Sequence, residues 1–138
     1  MSGIADERES AHIVLDASAL LALLKEEPGG AQVAEVLAGS RMSAVNFAEV
    51  VSHFIHIGMP AHEVESMLSP LPVTIVDADV ELAHLAGRLR AATAGAGLSL
   101  GDRFCIALAS RDELPAWTAD RQWRMISDAV GVKVVVIR

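Results

Sequence analysis

Short apolar runs alternate along the chain with stretches whose apolar residues recur every three or four positions. HIVLDA (12–17) is rich in β-branched residues, ends around Asp16 and predicts a buried strand. ALLALLKEE, after Ser18, predicts a helix stopped by Pro28, Gly29 and Gly30, and AQVAEVLA a second helix ending at Gly39. RMSAV (41–45) predicts a second strand, followed by a helix from Asn46 to Ile57 that Gly58 and Pro60 close. AHEVESML reads as a short helix, LPVTIV as a third strand, and ADVELAHLAGRLRAATA as a long amphipathic helix with Leu82, Leu85 and Leu89 on one face. After the loop AGAGLS come a helix (LGDRFCIALASR), a short strand (PAWTA), a short helix (DRQWRMI) and a closing strand (VKVVVIR). The first eleven residues are polar and are expected to form a tail ahead of a single domain over 12–138.

Apolar strands separated by helices pair in parallel, with helices on both faces. Right-handed crossovers then leave an open, mainly parallel, three-layer α/β/α sheet of Rossmann-like type. In such sheets ligands gather beyond the carboxyl ends of the strands.

Composition sharpens this. With 52% hydrophobic residues among 138, the chain can build a core and is no disordered segment. One cysteine, Cys105, excludes an internal disulfide and a cysteine-based zinc site; set in the apolar run FCIALA, it reads as a small buried hydrophobe. No signal peptide or membrane-length apolar stretch is present in this sequence, so a cytoplasmic, non-membrane protein is expected. The formal net charge of −7, from 18 acidic against 11 basic residues, speaks at first against a nucleic-acid binder.

Four acids change that view. Asp16 ends the first strand, Glu49 is expected in the first turn of the helix after RMSAV, Asp102 opens LGDRFCIALA, and Asp120 follows the strand WTA. All four can reach one carboxyl edge. Each also has an ordinary structural role: Asp16 and Ser18 in a strand-to-helix turn, Asn46–Glu49 and Ser99–Asp102 at capping-box spacing, and Asp120 as an N-cap. The apolar surroundings of Glu49 point it toward an enclosed groove. Taken together, carboxylates about 4 Å apart repel by roughly 4 kcal/mol per pair at an effective dielectric near 20, so such a cluster shares protons or binds a cation. An oxygen-only site suits Mg²⁺ or Mn²⁺, which acidify bound water and stabilise phosphoryl charge. Metal-dependent phosphodiester hydrolysis follows from that chemistry.

LDASALLALLKEEPG, SAVNFAEVVSHF, SLGDRFCIALA and AWTADRQW, in this order, resemble the signature segments of PIN domains, and more narrowly the VapC toxins of bacterial VapBC toxin–antitoxin pairs. The resemblance runs from His12 onward. It implies an Mg²⁺/Mn²⁺-dependent endoribonuclease acting on structured RNA such as tRNA or rRNA, which inhibits translation, and a VapB-type antitoxin that blocks the site. Residue by residue, it places the metal-binding and catalytic carboxylates on Asp16, Glu49, Asp102 and Asp120, with Ser18 and Thr118 as supporting hydroxyls. The polar leader departs from the family pattern.

Arg103 and Arg121, which follow two of these acids, are candidates for RNA contact, against the alternative of solvated helix faces or pairs with carboxylates. Trp117 and Trp123 read as packing residues before stacking platforms. His53 and His56, three apart, miss the four-residue spacing of helical zinc pairs. The excess apolar residues of ALLALL and AEVVSHFIHIGM suit a homodimer and capture of a partner helix, or simply a covered core. A noncatalytic PIN-like protein-binding module is the alternative function. Setting the four site acids aside leaves 14 acidic against 11 basic residues, so RNA would approach a metal-loaded edge of an acidic globule.

Overall fold

The computed structural model describes residues 11–138, so most of the proposed tail lies outside the described residues. Five strands form one sheet in the order β3-β2-β1-β4-β5: β1 (Ile13–Leu15), β2 (Ser40–Ser43), β3 (Val73–Val76), β4 (Ala116–Thr118) and β5 (Val134–Val136). Every pairing is parallel. The helices are α1 (Ala17–Leu24), α2 (Gly30–Val36), α3 (Ala44–His56), α4 (Ala61–Leu68), α5 (Val80–Thr93), α6 (Leu100–Asp112) and α7 (Ser127–Val130), with 3₁₀ turns at Leu37–Gly39, Ala94–Ala96 and Arg121–Met125. This is the expected three-layer α/β/α architecture.

The central strand shows why. Ile13, Val14 and Leu15 are all buried; Ile13 and Leu15 join one core and Val14 the other, as the two-residue strand period requires. The first core holds α1 to α4; the second holds α5, α6 and the segment around Trp123 and Ile126. The chain therefore moves from β1 to β2 and β3 with helices on one face. It then crosses to β4 and β5 with helices on the other, as right-handed crossovers demand. The reversal of direction falls between β1 and β4, the place where such sheets open a crevice.

Several boundaries differ from the sequence expectation, each for a local reason. Helix α1 starts ahead of Ser18 because Asp16 is its N-cap, accepting from Ala19 N at 2.8 Å. It ends at Leu24, before the proline and glycines, and Glu26 turns the chain in a left-handed conformation (φ 54°). β2 spans 40–43 rather than 41–45, because Ser43 caps α3 by accepting from Asn46 N, which moves the helix start forward to Ala44. DRQWRMI forms a 3₁₀ turn rather than an α-helix, followed by the short α7. Leu82 is fully buried, with Leu85 and Leu89 half-buried against the second core, so the stripe of the long helix faces inward as expected.

A buried ion pair lies at the end of α6, away from its capped N-terminus. Arg41 Nε stands 3.0 Å from Asp112 Oδ2, off the line of a hydrogen bond, and Arg111 Nε donates to the other oxygen of Asp112 at 3.2 Å. Cys105 is fully buried, Trp123 likewise, and Trp117 is half-buried against the first core. Among the described residues no helix is long and apolar enough to cross a membrane.

Candidate active site at the carboxyl edge of the sheet

Asp16 stands at the reversal point, immediately after β1, with 4% of its surface exposed. Its carboxylate accepts from the Ser18 hydroxyl at 2.8 and 2.9 Å, from Ala19 N at 2.8 Å and from the Thr118 hydroxyl at 2.5 Å. The two hydroxyls are themselves oriented from β4. Ala119 N donates to Ser18 Oγ at 2.9 Å, and Asp120 N donates to Thr118 Oγ1 at 3.0 Å. Each hydroxyl accepts from a backbone N–H and donates to Asp16, and the two hydroxyl oxygens stand 3.3 Å apart. Thus Ser18 and Thr118 act as hydrogen-bond donors that fix one carboxylate.

Burial pushes the Asp16 carboxyl up to about 6, and the negative charge of Asp102 adds to the rise; the hydrogen bonds from Thr118, Ala19 and Ser18 pull it back. No lysine or arginine pairs with it among the described residues. Asp16 is an anion whose compensation is incomplete.

Asp102 sits in a capping box: its Oδ2 accepts from Ser99 N at 2.9 Å while Ser99 Oγ accepts from Asp102 N at 3.1 Å. Its other oxygen is left for a ligand. Asp120 caps the 3₁₀ turn, accepting from Gln122 N at 2.9 Å, and is tied to Asp16 through Thr118. Glu49 departs from expectation on two counts. It lies in the second turn of α3, since the capping partners there are Ser43 and Asn46, and it is exposed rather than enclosed.

Asn46, almost fully buried, is a site residue whose place in the sequence suggests only a cap. Its amide nitrogen donates to Glu49 Oε1 and to the Gly101 carbonyl, both at 2.9 Å, and the Ser43 hydroxyl donates to its oxygen at 2.7 Å. Asn46 thereby joins the Glu49 turn to the start of α6. The Glu49 carboxylate lies against Gly101, where an added Cβ would stand 2.6 Å from its oxygens. The Ser43-x-x-Asn46-x-x-Glu49 spacing puts all three on one helix face and is the signal available in the sequence.

The charges of Asp16, Asp102 and Glu49 all reach the buried Cys105. Burial pushes its thiol up, and the charges of Asp16, Asp102 and Glu49 push it further. Even so, among the described residues no three His, Cys, Asp or Glu side chains are gathered tightly enough to form a ready metal-binding group. What fits a cation is the chemistry: oxygen donors only, an undercompensated buried carboxylate, and one oxygen each of Asp102 and Asp120 outside the capping bonds.

The sequence matches the family model of the PIN domain over residues 13–128. The chain belongs to the PIN domain family. Solved PIN-like folds superpose over most of it. A toxin–antitoxin complex from Klebsiella pneumoniae gives a TM-score of 0.68 at 18% identity, covering 91% of this chain and 98% of that one. VapBC2 from Rickettsia felis, bound to a DNA fragment from its promoter, gives 0.67 at 17% identity over 91% and 98%. The sarcin-ricin loop cleaving toxin VapC20 of Mycobacterium tuberculosis gives 0.66 at 14% identity over 82% and 93%. No curated protein matches the chain. PIN domain nucleases generally use divalent metal ions, in keeping with the oxygen-only donors of this PIN domain.

The two arginine candidates are placed differently. Arg121 is exposed, and its Nε donates to the carbonyl of Arg138 at 3.2 Å. Arg103 is only 9% exposed.

Proposed function

We propose that this PIN domain is the toxin of a toxin–antitoxin pair, a VapC-type, Mg²⁺- or Mn²⁺-dependent endoribonuclease of the cytoplasm. It hydrolyses phosphodiester bonds in structured RNA, tRNA or rRNA, and so inhibits translation. The observation that carries the reading is the Asp16 carboxylate, buried at the sheet reversal and held by two pre-oriented hydroxyls, with Asp102 close enough to act on its charge.

Asp16, Glu49, Asp102 and Asp120 would hold the metal. The ion supplies charge for the phosphoryl oxygens and lowers the pKa of an attacking water. This chain's own residues do the rest. Ser18 and Thr118 keep Asp16 from rotating away. Asn46 holds Glu49 at the solvent-facing rim, where an exposed carboxylate can take a proton from water. The proposed antitoxin has an apolar cleft available between α3 and α4, about 270 Å³, lined by Phe47, Val51, Ile55, Ala61, Val64 and Leu68. The exposed Ile55 and Ile57 extend that apolar surface toward a homodimer contact.

Asp16→Asn decides between this reading and a noncatalytic binding module. Purified wild type is expected to cleave tRNA or rRNA with Mn²⁺ and to stop in excess EDTA. Asp16→Asn is expected to be folded, by circular dichroism, and inactive. Undiminished cleavage by the variant, or full activity in EDTA, would overturn the assignment.

A further inference from the structure

Arg103 follows Asp102 on α6 but points elsewhere, since neighbouring helix positions are turned about 100° apart. It lines a cavity of about 280 Å³ with Arg90, Thr93, Ala94, Gly97 and Leu98, where the end of α5 and its 3₁₀ turn meet the start of α6. No carboxylate lines this cavity. Among the described residues Arg90 and Arg103, like the exposed Arg88 and Arg124, take part in no ion pair or side-chain hydrogen bond, whereas Arg41, Arg111, Arg121 and Arg138 all do. The contrast with Arg41 is the telling one. That buried arginine has Asp112 beside it; Arg103, 9% exposed, has no carboxylate beside it, and its guanidinium nitrogens are not sealed from solvent as those of Arg41 are.

A guanidinium does not lose its charge in a protein, so two of them lining a cavity without a carboxylate favour an anion there. Thr93 does not supply one, because its hydroxyl is spent donating to the Leu89 carbonyl at 2.8 Å. The cavity thus presents two unanswered cations, one from within and one, the exposed Arg90, from the rim. It also adjoins the acidic site through the chain: Leu98 lines it, and the next residue, Ser99, holds the Asp102 carboxylate.

We propose that this cavity is a phosphate subsite in which Arg103 and Arg90 take one backbone phosphate of an RNA strand and set the strand beside Asp102. The subsite rests on the nuclease reading for its substrate. Paired guanidinium forks match phosphate oxygens in geometry as well as charge. Such an anchor gives an acidic protein a positive foothold of its own, separate from any metal. Arg90 and Arg103 are positioning residues here.

The test is binding, so it does not depend on cleavage. Anisotropy of a fluorescein-labelled RNA hairpin is measured with the full chain in EDTA at low salt, as a function of salt. Arg90→Gln is expected to weaken binding about tenfold and to flatten the dependence of log K on log salt by about one. Arg90→Lys should recover part of the loss, and Arg103→Gln should match or exceed it. Thermal melts report folding; should Arg103→Gln fail to fold, the Arg90 pair decides alone. Isothermal titration with inorganic phosphate separates the sources, and weak phosphate binding beside arginine-dependent RNA binding supports the strand. Unchanged RNA affinity and salt slope in folded Arg90→Gln overturn the subsite. So does arginine-dependent phosphate binding with RNA affinity unaffected. If the wild type never cleaves yet its RNA binding needs both arginines, the nuclease reading fails and the subsite stands. If cleavage is metal-dependent while binding ignores both arginines, the subsite fails and the nuclease reading stands.

Discussion

The hydroxyl of Thr118 donates to the carboxylate of Asp16 at 2.5 Å across 102 positions of sequence, joining the ends of two neighbouring strands. Of the three hydrogen bonds that lower the Asp16 pKa, this one lowers it most.

Thr118→Val removes that donor and also leaves Asp120 N without its acceptor. A loss of about 1–2 kcal/mol in urea unfolding is expected. The acid limb of the cleavage profile should move to higher pH, because Asp16 becomes harder to ionise. Thr118→Ser keeps the hydroxyl and should restore most of both. A Val variant with unaltered stability and pH profile would show that the bond does not matter.

The raised pKa of Asp16 fixes the sign of a pH dependence. In the unfolded chain this carboxyl ionises near its ordinary value of 3.8; in the folded protein it ionises at about 6. The stability gained from keeping it protonated is fully present below about pH 4 and is lost as the pH rises through about 6. The change amounts to about 3 kcal/mol. Urea titrations of the metal-free protein, with Asp16→Asn as the reference, should therefore show wild type losing about that much relative to the variant between pH 4 and 7. A difference that stays constant across this range would contradict the burial argument.

Gly101→Ala tests the seat of Glu49. The three atoms nearest an added Cβ all belong to the carboxylate end of the exposed Glu49 side chain, so the fold is expected to tolerate it to within about 1 kcal/mol once that end shifts. Glu49 must move, and cleavage should fall. In Gly101→Ala combined with Glu49→Gln, the two losses should overlap rather than multiply. Multiplying effects would mean that Gly101 acts by another route.

Asp112→Asn strands the buried Arg41 and should destabilise the protein by about 3–5 kcal/mol, since one charge of a buried pair is left uncompensated. Cleavage per folded molecule should be unaffected, because Asp112 closes the opposite end of α6 from Asp102. A selective loss of activity in a stable variant would contradict this.

The strands and their order of appearance are legible in the sequence because each is an apolar run framed by turn residues, and Ile13-Val14-Leu15 could only be a strand covered on both faces. The meeting of Asp16 with Thr118 is also accessible, through the rule that places ligands where a parallel sheet reverses. The sequence misleads at Glu49 because its apolar neighbours Val50 and Phe54 face the core while Glu49 itself looks outward on the same helix. A different choice of cap, Ser43 instead of Asn46, shifts the whole turn. The burial of Arg103 has no signature in charge or spacing, since both describe where a residue stands in the chain and not which way its side chain turns.

The central strand has a bearing on synthesis as well as on chemistry. β1 is made first among the described strands, yet its far neighbour β4 is completed only at Thr118, the residue that also locks Asp16. A nascent chain released or exposed before that point lacks the partner that orients its key acid. Contacts of such long sequence separation form late. The arrangement around Asp16 therefore closes only once the chain has been made as far as Thr118, and products cut short of it lack the hydroxyl that holds this carboxylate.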